Sequence, residues 1–148
     1  MTSLDPYATT ILGIKNALKE AVNGTVTFHD KVSFDYISAP PEDMNPFAHG
    51  SILRDSLSAR GVKETTHILQ CQIDVVYICQ PDEAEFDKLV EYIGEIVDAL
   101  EDGDRKIGAP DYVDRVEVNN VTYGYLEGDQ ALLRTGRIMI SIHSMRNM

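Results

Sequence analysis

Asp74 is the residue whose type and position most invite chemistry. It stands among aliphatics in Ile73-Asp74-Val75-Val76, where a carboxylate kept from water would hold its proton longer and could serve in acid–base catalysis. The competing use is an ion pair at a subunit boundary, and the pattern favours it, with Arg134 and Arg137 as natural partners. Four histidines raise a metal reading. His67 and Cys71 share a strand face but sit about 13 Å apart, too far to bind one ion. His29, His49 and His143 lie in separate segments without ligand spacing. Glu101-Asp102-Gly103-Asp104 lacks the oxygen spacing and terminal Glu of a calcium loop and reads as a solvated turn. Tyr123 and Tyr125 share a face and could stack bases, but Glu117, Glu127 and Asp129 flank them where a binder needs cations. Packing is expected instead. With no Gly-rich phosphate loop and no nucleophile elbow, no catalytic, cofactor-binding or metal residue is assigned.

The elements that must position these residues follow from periodicity. Asp5-Pro6 opens a helix whose apolar stripe is Tyr7, Ile11, Ile14, Leu18, Ala21 and Val22, and Asn23-Gly24 ends it. Thr25–Phe28 and Val32–Tyr36 alternate as two short strands or one bent strand. Ala39–Gly50, with Pro40, Pro41 and Pro46, reads as a long loop, and Ser51–Ser58 as an ambiguous short strand. Glu64–Gln80 is an unbroken strand. Its core face is His67, Leu69, Cys71, Ile73, Val75 and Tyr77, and its other face mixes Gln70, Gln72 and Asp74 with aliphatics, as suits partial cover by another subunit.

Asp82 caps a second helix ending near Glu101, with Glu85 placed for a reciprocal cap and a stripe of Phe86, Leu89, Val90, Ile93, Val97 and Leu100. Asp114–Glu127 and Gln130–His143 form a hairpin turned at Gly128-Asp129, and an even-to-odd shift near Asn119-Asn120 marks a bulge. The expected fold is one α+β domain, a mainly antiparallel sheet with long strands and a C-terminal hairpin, packed on two amphipathic helices. Strands this long overreach the core of a small domain, which points to assembly rather than catalysis.

Composition narrows the classes further. The chain has 148 residues, 24 acidic against 13 basic, and a net charge of −11, which disfavours nonspecific binding to nucleic acid. An acidic surface keeps a protein soluble. It also tolerates molar salt, where the Debye length falls to roughly 3 Å, and Asp outnumbering Glu with few Lys suits that use. Met1-Thr2-Ser3-Leu4-Asp5-Pro6 starts no signal peptide and no run approaches membrane-spanning length, so use on the cytoplasmic side is expected. Cys71 and Cys79 fall in one strand about 27 Å apart and cannot pair with each other.

The element order runs from a helix through short strands and the Pro-rich loop to a long strand. "Pro-Asp-Glu-Ala-Glu-Phe-Asp-Lys-Leu-Val" then opens a helix ending "Ile-Val-Asp-Ala-Leu", and "Gly-Arg-Ile-Met-Ile-Ser-Ile-His" closes the chain. Over nearly its whole length this order resembles the tail terminator (tail completion) proteins of long-tailed bacterial and archaeal viruses. The resemblance implies a homo-oligomer, a hexameric ring in the virion at the head–tail junction. It would stop growth of the tail tube, meet the tube protein and the head-completion or connector protein, and let DNA pass without specific binding. It implies no catalytic residues.

Subunit contacts are expected at Gln70, Gln72, Asp74, Arg134 and Arg137, and contact loops at Pro40, Pro41, Pro46, Phe47, Gly128 and Asp129. Another neck or tube component, a small ligand-binding regulator, and an enzyme using Asp74 or His67 are the alternatives.

Overall fold

The computed structural model describes residues 6–35, 45–60, 64–101, 113–127 and 131–147. Helix α1 (Pro6–Asn23) forms on the three-and-four spacing of its apolar residues and buries Ile14, Ala17, Leu18 and Val22. Each fully buried Leu or Ile contributes roughly 1.5–3 kcal/mol. The segment after it is not the strand that alternation predicts. Thr25 Oγ1 donates to the Val22 carbonyl at 2.7 Å, and the Asp30 amide donates to Asn23 Oδ1 at 2.7 Å. Side-chain oxygens thus compete with ladder pairing, and Asp30 adopts the left-handed region at φ 60°. The chain turns, Phe28 drops into the core, and among the described residues of this stretch only β1 (Val32–Ser33) is strand.

β2 (Phe47–Arg60) is longer than expected at both ends, because Phe47–Gly50 and Ala59–Arg60 all find partners on β3 (Glu64–Cys79). The expected loop therefore stops short of Phe47. Before it, the Asn45 amide bonds the Ile78 backbone in both directions at 2.9 Å, followed by a cis Asn45–Pro46 bond. Pro46 and Phe47 are buried within the chain, so neither offers the contact surface expected of them. Pro40, Pro41, Gly128 and Asp129 lie outside the described residues.

Helix α2 (Glu83–Glu101) starts where Asp82 Oδ1 accepts the Ala84 amide at 3.0 Å. Glu85 does not complete the reciprocal cap; its carboxylate accepts the Tyr77 hydroxyl proton and meets Lys88 instead. The buried stripe is Leu89, Ile93, Ile96 and Leu100, while Phe86 and Val90, expected inside, stay exposed. β4 (Val113–Glu127) and β5 (Leu132–Asn147) make the expected hairpin, with register shifts at Val113/Arg115 and Val118/Asn120.

The sheet order is β1-β2-β3-β5-β4, antiparallel except for the short β1–β2 pair. β3 and β5 lie inside it and pair over their full length. The helices pack on one face of this α+β fold. Gly136 lets α2 approach β5, since a Cβ there would meet Ile93 Cδ1 at 2.1 Å, and Gly50 sits under the Phe34 ring in the same way. Cys71 and Cys79 are buried and unpaired.

Candidate functional site: the open face of the sheet

Alternation along β3 and β5 sends Leu69, Cys71 and Ile73 toward the helices together with Ile138, Ile140 and Ile142. Their sequence neighbours point the other way. On that second face no helix lies among the described residues. The β3–β5 register sets Gln70 opposite Ser141, Gln72 opposite Met139 and Asp74 opposite Arg137.

Two hydrogen-bonded groups result. Asp74 Oδ1 accepts Arg137 Nε at 2.9 Å, and Asp74 Oδ2 accepts Gln72 Nε2 at 2.7 Å. Alongside them, Asn119, projected by the β4 bulge, donates to Ser141 Oγ at 2.7 Å, and Ser141 donates to Gln70 Oε1 at 3.2 Å. On the outer side Glu117 holds Arg115 at 2.9 Å and lies 3.4 Å from His143 Nε2. Asp74 and Glu117 each meet a basic side chain, so the face is balanced in charge although the chain carries −11. Val76, Ile78 and Met139 supply its apolar part.

Of the five expected contact residues, Gln70, Gln72, Asp74 and Arg137 come together here. Asp74 pairs with Arg137 of its own chain. Arg134 does not join them, because it stands three positions from Arg137 and an alternating strand puts the two on opposite faces. It sits on the helix side, 5.8 Å above the Phe86 ring, with Nη2 donating to the Asp82 carbonyl at 3.4 Å. Tyr123 and Tyr125 also point to the helix side but are not packed away. Tyr123 leans on Phe86 at 5.7 Å, and Tyr125 is 63% exposed.

A polar row inside the core went unseen in the residue pattern. His67, fully buried, engages Asp55 Oδ2 through Nδ1 at 2.8 Å, with the Tyr7 ring of α1 tilted against it at 5.9 Å. Ser144 pairs in register with His67 on the next strand. The order Asp–His–Ser is that of a nucleophilic triad, yet His67 Nε2 and Ser144 Oγ make no hydrogen bond and both residues are closed to solvent. Asp55 on β2 and His67 on β3 could have been matched in advance only by knowing that the two strands form a hairpin.

Three groups have displaced proton affinities. Burial, then the Asp55 carboxylate, pushes the Cys71 thiol up to about 12. Burial and the bond to Glu85 raise Tyr77, and the same bond lowers Glu85. Among the described residues no group of three or more His, Cys, Asp or Glu could hold a metal ion, and no helix is long and apolar enough to cross a membrane. No protein-family model matches the chain, and no curated protein matches it significantly.

Proposed function

We propose that this chain is a structural assembly subunit of the tail-terminator kind. In that role it forms a ring that ends the tail tube and joins the tail to the head connector, with DNA passing through. One observation carries the reading: the sheet face opposite the helices has no cover among the described residues, combines Val76, Ile78 and Met139 with paired charges, and is balanced in charge in a chain that is otherwise strongly acidic. Large patches of that composition mark protein contacts, and a balanced patch is where acidic copies meet with least repulsion.

Negative-stain electron microscopy of the purified protein tests the proposal. Closed rings with a central channel are expected. Stacked tubes would favour a tube subunit, and isolated small particles at every salt concentration would contradict the reading. Arg137→Glu, which sets a second carboxylate beside Asp74, is expected to reduce ring yield while leaving the fold intact by circular dichroism.

A further inference from the structure

Edge strands in folded proteins are normally blunted by lysine, proline, bulges or short length, because their free backbone groups recruit other strands. The first half of β4 follows that rule with two register shifts. Its second half does not. From Asn120 opposite Met139 to Glu127 opposite Leu132 the pairing is regular, and Val121-Thr122-Tyr123-Gly124-Tyr125-Leu126 carries no charge and no proline. Tyr125 at 63% and Leu126 at 66% exposure project from its two faces. An uncharged, β-prone, unprotected segment of this kind pairs readily with another strand.

The opposite end of the sheet offers the complement. β1 covers β2 only at Ala48 and His49, so beyond His49 the outer side of β2 is unpaired among the described residues. It too exposes apolar side chains, Leu53 and Leu57. Successive antiparallel pairings from β2 through β3 and β5 to β4 leave the two outer strands running in opposite directions. A second copy in the same orientation therefore brings its β2 antiparallel to β4. Leu57, opposite His67, shares the helix-side face with Tyr123 and Tyr125.

We infer that the second half of β4 pairs with the open stretch of β2 from another copy of this chain, extending one sheet across the two molecules. The contact uses two different patches, which is what closes a ring rather than a two-fold dimer. This rests on the assembly reading and names its lateral joint.

Two measurements test it. Tyr125→Lys and Leu57→Lys alter exposed side chains, so each is expected to fold, and each is expected to weaken self-association at least tenfold by light scattering. Tyr125→Phe should leave it unchanged. Separately prepared Tyr125→Cys and Leu57→Cys proteins, mixed and treated with a short bifunctional thiol reagent, are expected to cross-link mainly between the two pools, the native cysteines being buried. An oligomer that survives both lysine substitutions would overturn the lateral joint and leave the assembly reading standing. Cross-links confined to the Tyr125→Cys pool would replace it with a two-fold β4–β4 contact. A wild-type protein monomeric at every salt concentration, or one whose β4 takes up only a foreign extended peptide, would overturn both.

Discussion

Cys71 and Tyr77 keep their protons in the folded chain beyond the pH at which free side chains release them, and that makes stability fall in alkali. Both affinities are raised by folding, so their contribution is complete below the unfolded values and is lost as pH rises; for Cys71 the window runs from 9.0 to about 12. The urea midpoint is expected to decline above pH 9, and Cys71→Ala to make the decline shallower. Glu85 acts in the opposite sense: its affinity is lowered, so its contribution is lost as pH falls below 4.5. Tyr77→Phe is expected to weaken that acid dependence, leaving the part due to Lys88, as urea titrations at low pH would show.

Two carboxylates separate burial from exposure. Asp55→Asn, at the buried His67 pair, is expected to cost about 1–3 kcal/mol. Asp74→Asn, whose partner Arg137 is 56% exposed, should cost less than about 1 kcal/mol. A reversed order in chemical denaturation would contradict the placement of both. Asp74 was legible as an ion-paired carboxylate because a charge amid Ile73, Val75 and Val76 has few other uses. Arg134 lies on the helix side, and strand parity alone separates it from the face that holds Arg137.

At the scale of elements, the α2 stripe shows what periodicity does and does not decide. Leu89, Ile93 and Leu100 were legible at their spacing, but the choice between Ile96 and Phe86 depends on where the helix meets the sheet. α2 crosses β5 at Gly136, which turns Ile96 inward and leaves Phe86 over Arg134 and Tyr123. Ile96→Ala is therefore expected to cost about 2–5 kcal/mol, and Phe86→Ala less than about 1 kcal/mol. Gly136→Val, which would press into Ile93, is expected to cost about 1–3 kcal/mol by overpacking. Thermal unfolding of the three variants orders them.

The long strand β3, the terminal hairpin and the β4 bulge were legible from alternation. The full extent of β2 was not, because Ala48, Gly50 and Ser51 carry no strong strand signal and are held by pairing with β3. The stretch 25–28 failed in the other direction. Its alternation was real, but the Thr25 and Asn23 side chains satisfied the backbone locally.

At the scale of the molecule, α+β class and layer order follow from strands with one apolar face and two helices to cover it. The proposed assembly rests on surfaces without a partner among the described residues, and no periodicity in the chain reports what would cover them. The net charge of −11 adds a testable consequence: screening reduces repulsion between copies, so self-association should strengthen from low to molar salt. The most direct test is the solution mass of the purified protein by light scattering across that range. On the proposed tail-terminator reading, in which heterologous contacts close a ring, the expected result is a particle of roughly six subunits, more fully populated at high salt. A mass equal to one chain at every salt concentration would contradict it.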